Sequence, residues 1–151
     1  MRTAIGTQTS TNPNEPPLHL PPGVQLSSKG KRFGAYLLDI VLFIVTLVIG
    51  WIIWSLIVWA RGQTPGKQLI GMYTFTPRNA ALTGYGDMVV REFVLLGVLN
   101  NLTFGLFEFV GAFWIFSGEQ NRTVWDRMMK TVIVDDPNQV LLTQKRAKAT
   151  P

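Results

Sequence analysis

Three polar residues that could do chemistry lie within or beside otherwise apolar sequence, namely Asp39, Asn101 and Glu108. A carboxylate in a low-dielectric medium is costly unless it pairs with a cation, takes up a proton or faces water. With Arg32 or Arg91 as a balancing charge, these side chains would form a polar path for a cation or a proton. The alternative for Asp39 is an interfacial residue that reaches water. The alternative for Glu108 is a structural contact between helices.

Other candidates for chemistry are weak. His19 is the single histidine and has no partner that would make a metal or catalytic site, and the chain contains no cysteine. The segment from Gly62 to Gln68 superficially resembles a phosphate-binding loop. Its glycines are one residue too close, and Gln68 replaces the Ser or Thr that would bind magnesium. Because no nucleophile, base and orienting group can be assembled, the sequence predicts no enzyme, no metal and no cofactor.

The elements that would position these residues are two long apolar runs. Residues 40–60 form a run of 21 residues without charge or proline. A helix of this length reaches about 30 Å, which is the thickness of a bilayer hydrocarbon core. Residues 93–116 form the second run, and Asp87 is expected to be the N-cap of a helix over about residues 88–117. The sequence therefore predicts an all-α membrane protein with two long transmembrane helices joined by a short polar connection.

Composition and charge agree with a membrane-bound chain. Hydrophobic residues make up 47% of the chain and charged residues 15%, which lies on the membrane side of ordinary soluble usage. The formal net charge is +5. Its Lys and Arg residues bracket the apolar runs instead of forming a groove interleaved with aromatic residues. This pattern predicts contact with the anionic headgroups of a lipid bilayer and no binding of nucleic acid.

The chain divides into three regions. Residues 1–31 contain five prolines and few apolar groups, which predicts a disordered Pro-rich tail. Residues 32–135 hold both apolar runs and form the predicted transmembrane domain. Residues 136–151 form a polar, basic C-terminal tail.

Short elements are predicted in the polar segments. Thr64 followed by Pro65 is typical of an N-cap and the first helical position, so a brief helix should begin there. Residues 72–76 and 131–134 are rich in β-branched and aromatic side chains, which predicts two brief strands.

Basic residues near the ends of the apolar runs predict the orientation. Lys29, Lys31 and Arg32 precede the first run and more basic residues follow the second, which predicts a multi-pass protein of the cell membrane with cytoplasmic termini. The connection contains four further basic residues, Arg61, Lys67, Arg78 and Arg91. These would lie outside, against the same rule. In the alternative, breaks near Gly50 and in residues 100–105 make two re-entrant hairpins, which would require an oligomer to surround irregular backbone.

Several motifs occur together in a characteristic order. They are residues 32–39 (RFGAYLLD), residues 62–71 (GQTPGKQLIG), Arg91 with Glu92, residues 122–127 (RTVWDR) and residues 131–134 (TVIV). From about residue 32 to 135 the chain resembles the RDD family of small prokaryotic membrane proteins. The arginine and two aspartates that name the family correspond to Arg32, Asp39 and Asp126. The other residues that match the family motif are Gly62, Thr64, Pro65, Gly66, Lys67 and Arg91.

The resemblance implies an integral membrane protein in a family mostly of unknown function. It implies a role in the transport of ions or small solutes, which includes sodium/proton exchange for some members. Many members have histidine immediately before the second aspartate, where this chain has Trp125. Because two helices cannot enclose a path alone, transport would require a homo-oligomer. The alternative function is a non-transporting membrane module that binds lipid or a partner membrane protein.

Overall fold

A computed structural model of the 151-residue chain describes residues 6–8, 18–103, 105–117 and 121–149. The strands are β1 (Gly6–Gln8), β2 (Leu18–Leu20), β3 (Gln25–Leu26), β4 (Met72–Thr76), β5 (Ala81–Leu82) and β6 (Val132–Asp135). The α-helices are α1 (Lys29–Val45), α2 (Ile49–Val58), α3 (Pro65–Leu69), α4 (Tyr85–Val89), α5 (Leu99–Leu102), α6 (Leu106–Ser117), α7 (Val124–Met128) and α8 (Val140–Ala149). Short 3-10 turns span Trp59–Arg61 and Pro77–Asn79, and Val90–Val98 is a π-helical segment.

An antiparallel sheet of four strands in the order β3-β6-β4-β5 organises the base of the molecule, meaning this sheet with α3, α7 and α8. Alternate side chains of a strand point to opposite faces. One face of β4 and β6 packs into an apolar core with β2 and α8. The buried members of this core are Leu18, Leu20, Val24, Tyr73, Phe75, Leu82, Val132, Val134, Leu141 and Leu142.

The opposite face of the sheet meets the helices. Met72 and Ile133 pack there against Ala35 of α1. Thr74 lies on the same face of β4 and is fully buried. The hydroxyl of Thr74 is therefore a polar group within an otherwise apolar contact, and it forms part of the site described below.

The first apolar run folds back on itself. α1 ends at Val45 and α2 begins at Ile49, and the turn between them contains two non-glycine residues with positive φ, Leu47 at 54° and Val48 at 62°. The hydroxyl of Thr46 donates to the carbonyl of Leu42 at 2.6 Å at the end of α1. The ring of Trp51 packs edge-on against Phe43 with centroids 5.7 Å apart, which holds α2 against α1. We call residues 29–58 the first hairpin.

The second apolar run folds back in the same way. α4, the π-helical segment and α5 lead to a turn that includes Thr103 and Gly105, after which α6 begins at Leu106. Gly105 adopts a φ of 84°, and its amide donates to the carbonyl of Asn100 at 2.8 Å. The left-handed conformation at this position suits glycine, which has no Cβ to clash. We call residues 85–117 the second hairpin.

The prediction of an all-α protein with two long transmembrane helices is wrong. The chain contains a four-stranded sheet, and within the described ranges no helix is both long and apolar enough to cross a bilayer. The pairing of the strands explains this difference. β3 precedes the first apolar run, β4 lies between the two runs and β6 follows the second, and yet β6 pairs with both β3 and β4. Strands of one sheet cannot lie on opposite sides of a bilayer. Each apolar run must therefore turn back, and the multi-pass prediction loses its basis.

The breaks agree with the alternative considered from the sequence. Two re-entrant hairpins were expected to break near Gly50 and in residues 100–105, and the chain turns at residues 46–48 and at Gly105. Asp87 is not the N-cap of a long helix, because α4 begins at Tyr85 with Gly84 as its N-cap. The oligomer that this alternative required stays a prediction.

The polar termini are more ordered than expected where they are described. Residues 1–5 and 9–17 of the predicted disordered tail lie outside the described residues, but residues 18–31 form β2, β3 and the start of α1. The disorder prediction is wrong for this part, because Leu18 and Leu20 alternate around His19 and both enter the core. The C-terminal segment forms α8, so it is more than a tail. The predicted helix start at Thr64 and Pro65 is confirmed.

Candidate functional site

Asp126, the second aspartate of the family motif, is fixed at the start of α7. The hydroxyl of Thr123 accepts from the amide of Asp126 at 3.2 Å, and the carboxylate of Asp126 accepts from the amide of Thr123 at 3.1 Å. This reciprocal pair is a capping box, which satisfies two backbone donors at the helix start. The side chain of Asp126 is 0% exposed. A carboxylate held this rigidly inside the protein requires counter-charges.

Two arginines from distant parts of the chain supply those charges. Arg32 of α1 forms an ion pair with Asp126 through Nη2 and Oδ2. Arg91, in the first turn of the π-helical segment, places Nη2 2.7 Å from Oδ1 of the same carboxylate. Its Nη1 donates to the hydroxyl of Thr74 in β4 at 2.8 Å. Asp126 therefore joins the entry points of both hairpins, and Arg91 attaches them to the sheet.

The electrostatics keep this carboxylate ionised. Burial alone would raise the pKa of Asp126, but the positive charges of Arg91 and Arg32 outweigh burial and hold the pKa well below its usual range. Burial lowers the pKa of Arg32, and the charge of Asp126 opposes that change. Opposite charges at close range favour the charged forms of both partners. Asp126 is therefore an anion at neutral pH and is unsuited to exchange protons there.

A second ion pair lies beside the first. Nζ of Lys67 is 3.6 Å from Oε1 of Glu92, and Nη1 of Arg91 is 3.8 Å from the same oxygen. Burial lowers the pKa of Lys67, and the nearby charge of Arg91 lowers it further. We call the five residues Arg32, Lys67, Arg91, Glu92 and Asp126 the ion-pair cluster.

Asp39 has partners of a different kind. Its carboxylate accepts from the hydroxyl of Thr64 at 2.6 Å and from the amide of Gly66 at 2.8 Å. The indole of Trp51 also donates to it at 3.4 Å. Asp39 therefore ties α1 to the N-terminal turn of α3 and to α2.

The glycine in this contact has a steric reason. A Cβ added at Gly66 would lie 2.5 Å from the backbone oxygen of Ala35 and 2.8 Å from Cγ of Asp39. Only glycine allows α3 to approach α1 this closely. Gly62 has a φ of 69°, and a Cβ there would lie 3.0 Å from the carbonyl of Thr74. The motif that superficially resembled a phosphate-binding loop is therefore a packing motif.

The structure brings together some predicted site residues and separates others. Arg32 and Arg91 meet, but on Asp126 instead of on Asp39. Asn101 is exposed and donates to the carbonyl of Gly97 in its own hairpin at 2.6 Å. Glu108 belongs to α6, and its side chain lies outside what the structure describes. Asp39 and Asn101 therefore have separate hydrogen-bond partners, and the polar path stays a prediction.

The sequence analysis did not identify Thr123 and Thr74, whose hydroxyl groups form hydrogen bonds with the ion-pair cluster. Thr123 lies three residues before Asp126, and this spacing is the signature of a capping box that could have located the start of α7. No comparable signal marks Thr74, because its role depends on pairing across the sheet. Within the described ranges no group of three or more His, Cys, Asp or Glu residues could hold a metal ion.

Trp125, which stands where many family members have histidine, has a packing role. Its side chain is buried at the start of α7. The six-membered ring lies so close to Gly111 of α6 that a Cβ at this glycine would overlap it. The indole therefore joins α7 to the second hairpin.

One of three comparisons with known proteins gives a match. A family model described as the RDD family matches residues 26–130, which is more than half of the chain. No curated protein and no solved structure gives a significant match. The matched residues contain Asp39 and the whole ion-pair cluster, so the motif residues and the contacts that they make fall within one family region. On this match, the chain belongs to the RDD family.

Proposed function

We propose that this protein inserts two apolar hairpins into a bilayer from one side, and that the ion-pair cluster holds the two hairpins together at the polar base. Membership of the RDD family supports a membrane protein. The observation that carries the proposal is the shared sheet, because β3, β4 and β6, which lie before, between and after the hairpins, pair with one another.

Exposed apolar side chains support insertion. Leu47 at the turn of the first hairpin is 80% exposed, and large apolar side chains continue along both hairpins. The most exposed of these are Ile44, Val45, Ile49, Phe93, Leu102, Leu106, Phe109 and Phe113. An apolar surface this continuous is unfavourable in water and is typical of contact with a membrane or a partner.

The second helix of each hairpin has about the length of a single leaflet. α2 has 10 residues and α6 has 12. At about 1.5 Å per residue they reach about 15 to 18 Å, roughly half of a hydrocarbon core about 30 Å thick. We therefore place the turns near the bilayer midplane.

The charge distribution supports the same arrangement. Residues 40–60 and 93–116 contain no Lys or Arg. If both apolar runs form hairpins, the basic connection between them lies on the same side of the bilayer as the basic residues before the first run and after the second. The conflict with the positive-inside tendency then disappears, and that tendency favours a cytoplasmic base that contacts anionic headgroups.

The function follows as a membrane module that binds lipid or a partner membrane protein without transporting a solute. The ion-pair cluster supports this choice, because Asp126 is locked between two guanidinium groups and Asp39 is engaged by α3. Transport of ions or small solutes is the alternative to this proposal. The homo-oligomer and the lack of enzymatic activity and of nucleic-acid binding stay predictions.

One reconstitution tests the proposal and its alternative. The purified protein is incorporated into phosphatidylcholine vesicles, treated with alkaline carbonate and floated on a density gradient, and we expect it to float with the lipid. Release into the soluble fraction would refute insertion. Separate vesicles that contain the protein and a pH-sensitive dye, and that are not treated with carbonate, should show no proton flux above protein-free vesicles. Flux that disappears in a well-assembled Glu108→Gln variant would instead establish transport.

A further inference from the structure

Close to the end of the second helix of each hairpin, α2 or α6, a backbone carbonyl accepts a hydrogen bond from a lysine. Nζ of Lys145 donates to the carbonyl of Ala60 at 2.6 Å, just after α2, and Nζ of Lys29 donates to that of Phe116 at 3.1 Å, at the end of α6. A cation is favourable at a helix C-terminus. Ile57, which is 60% exposed, lies one turn before Ala60. These two contacts mark the level where exposed apolar surface gives way to charge.

The first contact places α8 at that level. α8 is fixed at its start because the carboxylate of Asp136 accepts from the amides of Val140 at 2.9 Å and Leu141 at 2.8 Å. Leu141 and Leu142 then enter the apolar core. The remaining residues of α8 include three basic side chains and no carboxylate. α8 is therefore a docked helix that presents positive charge beside the end of α2.

Arg61 extends this charge from the other side of Ala60. Burial and the charge of Asp136 raise the pKa of Tyr73, whereas the positive charges of Arg61 and Arg146 oppose the rise. Arg61 directly follows Ala60 and Arg146 directly follows Lys145, so the contact between Lys145 and the Ala60 carbonyl brings both arginines to the same part of the molecule. The carboxylate of Asp136 is already engaged as the cap of α8. We call the four residues Arg61, Lys145, Arg146 and Lys148 the α8 basic surface.

We propose that the α8 basic surface binds the anionic headgroups of phospholipids. This inference rests on the proposed function, because only an inserted first hairpin brings Ala60 to the level of the headgroups. The charges are complementary, since clustered Lys and Arg beside a membrane-inserted segment attract anionic lipids. Lys145 fixes the geometry, and its neighbours supply the remaining charge.

The experiment compares two double variants that remove the same charge. Arg146→Gln with Lys148→Gln changes the α8 basic surface, and Arg127→Gln with Lys130→Gln is the matched control at exposed positions beyond this surface. Binding is measured by flotation with phosphatidylcholine vesicles and with vesicles that also contain phosphatidylglycerol, at low ionic strength. At about fivefold per basic residue, the first variant should lose about thirtyfold in binding to the anionic vesicles. It should keep the wild-type binding to phosphatidylcholine, and the control should keep the preference for anionic lipid.

The outcomes separate this inference from the proposed function. Equal losses in the two double variants would indicate a general effect of net charge and would overturn the α8 basic surface. Wild-type protein that floats with phosphatidylcholine but shows no preference for anionic vesicles would overturn this inference alone. Wild-type protein that floats with neither would overturn the proposed function as well.

A charge-conserving variant separates charge from side-chain shape. Arg146→Lys combined with Lys148→Arg keeps both positive charges on α8 and exchanges only the kind of cation. Because the proposed attraction depends on charge, this variant should keep the wild-type preference for anionic vesicles. A loss as large as that of the double glutamine variant would overturn the assignment of binding to charge.

Discussion

Asp126 is the residue on which the base depends most. It receives Arg32 and Arg91, and its replacement removes the ion-pair partner of the buried Arg32 and leaves Arg91 with only the carboxylate of Glu92 at 3.8 Å. Breaking a buried ion pair from one side costs about 3 to 5 kcal/mol. We therefore expect Asp126→Asn to lower the free energy of unfolding by this amount, measured by denaturant titration in detergent micelles with tryptophan fluorescence. Asp87→Asn is the control, since this carboxylate is exposed and should change stability by less than about 0.5 kcal/mol. Similar unfolding of Asp126→Asn and wild type would contradict the assigned role.

The same carboxylate predicts an acid dependence of stability. The pKa of Asp126 is lowered in the folded state, compared with about 3.9 for an ordinary aspartate. Its contribution is therefore fully present above the unfolded pKa and is lost as pH falls through the folded pKa. Between about pH 5 and about pH 2 the free energy of unfolding should fall more steeply for wild type than for Asp126→Asn. Parallel pH profiles of the two proteins would rule out this linkage.

Gly66 is the residue whose lack of a side chain matters most. A Cβ there would meet the backbone oxygen of Ala35 at 2.5 Å, and the backbone has little freedom to move away. We expect Gly66→Ala to destabilise the protein by about 1 to 3 kcal/mol through overpacking. Gly34 in α1 is a matched control with no atom within 4 Å of an added Cβ. Gly34→Ala should be neutral or stabilising by up to about 1 kcal/mol, because alanine has the higher helix propensity. Equal effects of the two substitutions, measured by thermal unfolding, would argue against the close approach of α3.

At the scale of elements, the turn of the first hairpin is the part that should lie deepest in lipid. Leu47 is 80% exposed at this turn, whereas Leu69 is 55% exposed at the end of α3 in the base. An arginine near the bilayer centre costs roughly 2.5 to 3.5 kcal/mol. Leu47→Arg should therefore weaken partitioning into phosphatidylcholine vesicles on the order of a hundredfold, while Leu69→Arg should leave it nearly unchanged. Flotation measures both, and unchanged partitioning of Leu47→Arg would place this turn outside the hydrocarbon.

At the scale of the whole molecule, the decisive property is that both polar segments share one side. The chain contains no cysteine, so introduced cysteines report without background. In a protein carrying Arg78→Cys and Thr143→Cys, a membrane-impermeant maleimide should attach to both sites of a molecule or to neither, as measured by intact mass. The control Leu47→Cys should stay unlabelled in vesicles and react after detergent is added. A majority of singly labelled molecules would place the connection and α8 on opposite sides.

Features set by neighbouring residues could be predicted from the sequence alone. The apolar runs follow from composition, the helix start at Thr64 and Pro65 follows from local capping, and the strand Met72–Thr76 follows from β-branched and aromatic content. The family could also be recognised, because each of its motifs is a short continuous stretch of sequence. Each of these features depends on interactions within a few residues, which leave a pattern along the chain.

Only the tertiary structure decided how the runs fold and which charges meet. Leu47 and Val48 turn the first hairpin with positive φ, a conformation that no glycine or proline indicates in those residues. Arg32 and Asp126 are 94 positions apart, so their ion pair leaves no periodicity in the sequence. The pairing of β4 with β6 is also distant in sequence, and it requires that the second apolar run return to the side from which it enters. Long-range contacts of this kind are selected by packing and charge in three dimensions, and for that reason the sequence predicted helices that cross the bilayer where the structure has hairpins.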